Sequence, residues 1–260
     1  MIRQLSFKFS SLASGFFAAA LIFGGAPVAF AAIPKNEIQN AIAERLNKYQ
    51  SAQSWREFVK SVPAGFPADI KTMTAETDKL TLELDGDTYT LGIGYRQVFM
   101  KADFERVKKL LTDTALWKDL YGLDAEATIS DAADGKFRAR IFKKVPVISD
   151  QDYTLEYKQF EDGGVWFQRA TQAEDKKDFA LRDNLKALER VDGGTLLREV
   201  SVVYILRWYL RALGPQVRST METEVTKLNH ALKCAAESSE PVTKKLAGEC
   251  WKLAEKSKSK

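Results

Sequence analysis

One histidine, His230, and two cysteines, Cys234 and Cys250, are all that these 260 residues offer of the two side chains that most often serve as base and thiol nucleophile. A serine or cysteine nucleophile needs a base beside it, and no serine stands in a Gly-x-Ser-x-Gly frame. His230 falls outside the apolar stripe of its helix, which makes it a solvent-facing structural residue. Zinc wants paired histidines or cysteines and calcium an oxygen-rich loop; neither pattern occurs, so no metal or cofactor is expected. The 35 acidic residues permit a general acid–base pair somewhere but single none out. Gly92-x-Gly94 lacks the third glycine and the following helix of a nucleotide fingerprint, and inside a strand it marks a bulge or a close backbone approach. The chain is therefore expected not to be an enzyme.

More pointed chemistry comes from strand alternation, which gives residues two apart a common face. Tyr153, Leu155 and Tyr157 share one face, Val200, Val202 and Tyr204 another, and Phe137, Ala139 and Ile141 a third. Arg198 lies on the face of Val200 and Val202, where a guanidinium wants a carboxylate or an anionic head group. All these side chains serve equally as ordinary core.

Elements must hold these faces against something. Val217, Met221, Val225, Leu228, Leu232 and Ala235 recur at steps of three or four along a helix from Pro215 to Ala236, and that stripe needs an apolar partner. The strands before it are the only surface large enough: a hairpin around Asp85-Gly86-Asp87, then about 125–130, 136–147, 153–160, 165–171, 185–191 and 195–206, with turn residues between them. The charged stretch 174–183 reads as a loop and 117–122 as a linker. A short helix, Asp103 to Thr112, follows the hairpin, and one helix from Ile33 to Lys60 precedes it.

The first residues read as a leader. Arg3 and Lys8 precede a short apolar run, and Ala29-Phe30-Ala31 offers a small-x-small cleavage site. The run is shorter than the roughly 20 residues of a bilayer span. Cleavage there leaves 229 of the 260 residues, and losing Arg3 and Lys8 lowers the net charge from +4 to +2, too small to argue for nucleic acid. Export implies an oxidising compartment, periplasmic or extracellular, where Cys234 and Cys250 pair and pin the tail to the long helix; two free thiols are the other reading. Trp208, Tyr209 and Arg211 mix aromatic and basic groups ahead of that helix, suited to transient contact with a membrane surface or to packing on the core.

This order of elements resembles the helix-grip fold of the START-like superfamily, which includes lipid-transfer domains, pollen-allergen-like proteins and polyketide cyclases or aromatases. The likeness rests on Tyr95-Arg96-Gln97-Val98-Phe99 followed by Ala102-Asp103-Phe104-Glu105-Arg106-Val107, on Tyr153-Thr154-Leu155-Glu156-Tyr157 and Leu197-Arg198-Glu199-Val200, and on the closing helix. It implies an α+β fold, a curved antiparallel sheet gripping the long helix with an extra N-terminal helix added. The expected organisation is a signal peptide at 1–31, an extension at 32–84, the START-like domain at 85–236 and a tail helix at 237–260. It also implies a cavity holding a sterol, fatty acid or phospholipid. Tyr153, Leu155, Tyr157, Arg198, Val200, Val202, Tyr204, Met221, Val225 and Leu228 would line it, with Arg198 or Tyr204 setting head-group preference. A cyclase of the same superfamily and a protein-binding module of the cell envelope are the rival readings.

Overall fold

The computed structural model describes residues 33–61, 78–84, 87–122, 124–128, 135–143, 151–176, 180–206 and 214–256. The leader at 1–31 and Trp208, Tyr209 and Arg211 lie outside them. Ile38, Ile42 and Leu46, spaced by four, make one fully buried side of α1 (Lys35–Asn47). The single helix expected over 33–60 is two. Helix α2 (Ala52–Ser61) has its own start, because the Ser51 hydroxyl accepts from the Ser54 N–H and the distant Asp162 carboxylate accepts from the Ala52 N–H at 2.7 Å.

Eight strands form one antiparallel sheet in the order β1-β2-β8-β7-β6-β5-β4-β3. They are β1 (Asp78–Leu84), β2 (Asp87–Met100), β3 (Asp124–Thr128), β4 (Lys136–Lys143), β5 (Gln151–Asp162), β6 (Val165–Asp175), β7 (Ala180–Val191) and β8 (Gly194–Ile205). Strand β1 pairs with β2 along its whole length, so a domain boundary at 84/85 cuts a hairpin and the sheet begins at Asp78. The charged 174–183 stretch is mostly strand, because its charges have partners. Arg182 lies 3.8 Å from Asp175, whose carboxylate also accepts from the Ala180 N–H, and Asp183 pairs with Arg169.

Between β2 and β3 come α3 (Phe104–Thr112) and α4 (Thr114–Tyr121). The linker expected at 117–122 is the second half of α4. Asp113 caps that helix by accepting from the Ala115 N–H, and Gly122 ends it at φ +57, where a Cβ would strike the Trp251 ring at 2.6 Å. The long helix α5 runs Gly214–Glu237 and the tail helix α6 Lys244–Lys256. Cys234 and Cys250 are disulfide-bonded, tying α6 to α5. No helix among the described residues is long and apolar enough to cross a membrane.

The elements stack in three layers. On one face of the sheet Val98, Met100, Trp166, Leu188 and Leu197 meet α3, α4, Leu232 and Ala235 of α5, and Leu246 and Ala254 of α6. On the other face lie α1 and α2. Trp55 meets Phe167 edge-on at 6.1 Å, Phe58 meets Tyr95 at 5.9 Å, and Arg169 donates to the Ala43 carbonyl at 3.2 Å. The fold is α+β, a helix-grip arrangement whose outer sheet face is covered by two N-terminal helices.

Candidate functional site

The two faces of the sheet are packed unequally. On the central strand β7, Leu181, Asp183, Leu185 and Ala187 point toward α1 and are all buried. Arg182, Asn184 and Lys186 alternate with them, face α5, and are only half-buried. The same contrast runs along β8, where Val200, Val202 and Tyr204 are buried and Ser201, Val203 and Ile205 are half-buried. A face in the middle of an eight-stranded sheet with helices over it keeps solvent access only when space remains beneath those helices. Gly94 locates that space. It shares the α5-facing parity of Arg96 and Val98, and a Cβ built on it meets nothing within 4 Å among the described residues. At Gly92 a Cβ would touch, among the described residues, only Val203. Among the described residues the glycines therefore mark neither the bulge nor the backbone crossing that their sequence context suggested, and nothing described covers Gly94.

A polar row bounds the space on its inner side. Register places Arg96 of β2, Glu199 of β8, Lys186 of β7 and Gln168 of β6 side by side on the face toward α5. Arg96 Nε donates to Glu199 at 2.6 Å, and its other nitrogens reach Glu199 and Asn229 of α5. Lys186 Nζ donates to Gln168 Oε1 at 3.3 Å, and Gln168 Nε2 donates to the Leu111 carbonyl at the end of α3. Burial pushes the Glu199 carboxyl up, but Arg96, Lys186 and the Ser201 hydroxyl together outweigh it and hold it below the usual carboxylate range. Burial pushes the Lys186 amine down, against the pull of Glu199, and keeps the Tyr121 and Tyr157 phenols protonated far above neutral pH. Several buried polar atoms nearby, Asn229 Nδ2, Asn184 Oδ1, Gln172 Oε1 and Trp117 Nε1, have no hydrogen-bond partner among the described residues. Unpaired polar atoms in such number are costly unless something else meets them.

The far wall is aromatic. Tyr153, Leu155 and Tyr157 of β5 join Phe137, Ala139 and Ile141 of β4 in one cluster beneath Trp117 and Tyr121 of α4. Phe137 stacks on Tyr157 at 4.5 Å, Trp117 leans on both, and the Arg182 guanidinium sits 3.9 Å over the Tyr153 ring. Val225 and Leu228 of α5 remain half-buried. Met221 lies on α5, but its side chain is outside the described residues.

The structure therefore brings together Tyr153, Leu155 and Tyr157 on the α5 side, leaves Val225 and Leu228 half-buried on α5, and turns Arg198, Val200, Val202 and Tyr204 away. Arg198, Val200, Val202 and Tyr204 project to the opposite face, toward α1 and α2. Arg198 donates to Gln97 Oε1 at 2.7 Å and to Glu189, which Arg56 of α2 also approaches. Tyr204 meets Tyr89 edge-on at 5.8 Å. The alternation within the strand is as expected and its phase is inverted: both faces of β8 are covered, so a buried face is not by itself the α5 face. Sequence reasoning missed Arg96, Lys186, Glu199 and Asn229 as site residues. The available signal was Gly92-x-Gly94-x-Arg96, a strand face without bulk ending in a charge.

An open cleft of about 470 Å³ at the other end of the sheet is lined by Lys101, Phe104, Arg190 and Gly193 among others. Arg190 there is engaged with the Phe104 ring and Glu105. Among the described residues no cluster of three or more His, Cys, Asp or Glu side chains is arranged to hold a metal.

No protein-family model matches the chain, and no curated protein matches it. Among solved structures it is similar to a protein from Thermus thermophilus, at 19% identity and a TM-score of 0.46, covering 54% of this chain and 94% of that one. It is similar also to a STAR-related lipid transfer protein fragment from Xanthomonas axonopodis, at 13% identity and a TM-score of 0.43, covering 60% and 98%. A third is the Zhui aromatase/cyclase from a Streptomyces species, at 13% identity and a TM-score of 0.41, covering 62% and 93%. These likenesses are ones of layout.

Proposed function

We propose that the protein is an exported binder or carrier of a hydrophobic small molecule, held between the sheet and α5. The observation that carries this reading is the floor at Gly94, which no described residue covers within 4 Å, on a half-buried sheet face that also carries the Tyr153–Tyr157 aromatic cluster and the polar row. The mechanism is desolvation. Each methylene moved from water into such a space contributes about 0.8 kcal/mol, enough for a medium-length chain to be held at micromolar concentration. Binding rather than turnover is favoured because Arg96, Glu199, Lys186 and Gln168 are engaged with one another along the row. Export is supported by the leader-like residues 1–31 and the Cys234–Cys250 disulfide.

Organic extraction of the protein purified from its native compartment, followed by mass spectrometry, tests the reading. A stoichiometric amphiphile recovered unaltered supports it. A ligand converted on incubation replaces it with the cyclase-type enzyme, and an empty protein that takes up no fatty acid, phospholipid or sterol replaces it with a protein-binding module.

A further inference from the structure

The polar row is unbalanced. It holds two cations, Arg96 and Lys186, and one carboxylate, Glu199, which belongs to Arg96 through the 2.6 Å hydrogen bond and its companion ion pair. Lys186 is left with the amide oxygen of Gln168 at 3.3 Å and has no carboxylate within ion-pair distance among the described residues. A cation enclosed without a counter-ion is costly, and elsewhere in this protein such groups are paired: Arg169 with Asp183 and Arg198 with Glu189. Lys186 is nevertheless half-buried rather than sealed, at the centre of the sheet and on the same sheet face as Gly94 and Ser201.

We propose, resting on the ligand-binding reading above, that the cargo is an amphiphile with a terminal carboxylate, bound head-first so that the carboxylate completes the Arg96–Glu199–Lys186 row. The alternation of charge then continues to a second anion at Lys186. The Asn229 Nδ2 group, beside Arg96 on α5 and without a partner among the described residues, supplies a further donor where a carboxylate has lone pairs to spare. Behind the row lies the closed core of Val98, Leu188, Leu197 and Leu232, so an apolar tail has only the direction of Gly94, Val225 and Leu228. The excess is one unit of positive charge. That matches a carboxylate, whereas a phosphate monoester brings about −1.5 to −2 and over-neutralises it. A bound carboxylate also restores to Lys186 the proton affinity that burial removes.

Titration calorimetry on the full chain with laurate, methyl laurate and dodecyl phosphate decides the matter, in wild type and in Lys186→Met and Lys186→Arg. Laurate is expected to bind at least tenfold more tightly than its methyl ester. Lys186→Met should erase that preference, and Lys186→Arg should keep it. Lys186→Met removes an enclosed charge without removing bulk, and its circular dichroism confirms folding before binding is read. Equal affinity for acid and ester, tighter binding of dodecyl phosphate than of laurate, or an acid preference that survives Lys186→Met overturns the proposal. If all three probes fail while native extraction yields another cargo, the carboxylate falls and the ligand-binding reading stands; if extraction also yields nothing, both fall.

Discussion

Replacing Gly94 with leucine separates a hollow interior from a packed one. The substitution adds four carbon atoms to the α5-facing floor of β2, at a position where a Cβ meets no described atom within 4 Å. If the ligand occupies that volume, leucine displaces a comparable length of chain. At about 0.8 kcal/mol per methylene the loss is roughly 3 kcal/mol, or about 200-fold in Kd. Folding should not suffer, because a strand-interior glycine is itself destabilising by roughly 0.5–1 kcal/mol and Gly94 has no left-handed φ that a side chain would strain. The assay is calorimetric binding of whichever amphiphile extraction identifies, beside urea unfolding of the same samples. Arg198→Gln is the control, since Arg198 faces Gln97 and Glu189 on the opposite side, and its affinity should equal that of wild type. A Gly94→Leu protein that unfolds as wild type and binds as wild type refutes the placement of the ligand. One that is markedly destabilised shows the space to be filled already.

Three further outcomes follow from the packing. Trp55→Ala should cost about 3–5 kcal/mol in urea unfolding, because Trp55 is fully buried against Phe167 and Phe58; a loss under about 1 kcal/mol would make α1 and α2 a dispensable appendage. Reducing the Cys234–Cys250 bond should lower stability by around 3 kcal/mol for a loop of this length, read as a drop in Tm on adding a phosphine reductant; an unchanged Tm would mean that α6 holds its place by packing alone. Burial raises the Asp183 carboxyl from 3.8 to about 6 against the opposing pull of Arg169. The folded protein therefore holds this proton more tightly than the unfolded chain does. Its contribution, at most roughly 3 kcal/mol, is complete below pH 3.8 and is lost as pH rises through about 6. Asp183→Asn, which has no carboxyl to titrate, should flatten the stability profile over that window; parallel profiles for the two proteins would contradict this.

The strands were legible because each carries alternation bounded by turn residues, and the grip layout because Leu228, Leu232 and Ala235 repeat along one helix. Errors fell where a local pattern had two tertiary solutions. Trp117 to Tyr121 is too short to show a helical period, and its cap, Asp113, sits before the apolar residues begin. The stretch 174–183 looks like a loop until Asp183 is seen to pair with Arg169, fourteen residues back across a hairpin. The phase of β8 was the costliest ambiguity. Leu197, Val200, Val202 and Tyr204 are all buried, the first toward α5 and the other three toward α1 and α2, so hydrophobicity along the strand does not say which side is inside. Cross-strand register, which aligns Arg96 with Glu199 and Lys186, is absent from any one strand's sequence.

The N-terminal helices supply the burial that the α5 face of the sheet lacks. A sheet that keeps Gly92, Gly94, Ser201 and Asn184 on its α5 face forgoes much of the apolar burial that a closed core would supply there. In this chain the deficit is offset on the other side. Ile38, Ile42, Leu46 and Trp55 are fully buried against the outer face, and Leu185, Ala187, Val200 and Val202 beneath them are almost completely dry. The buried Arg169–Asp183 pair, with its bond to the Ala43 carbonyl, fixes α1 in register on the sheet, the role in which a buried ion pair is best attested. On the proposed reading, stability and binding are carried by opposite faces of one sheet, and the dry outer face offsets the cost of a Lys186 that has no carboxylate partner among the described residues.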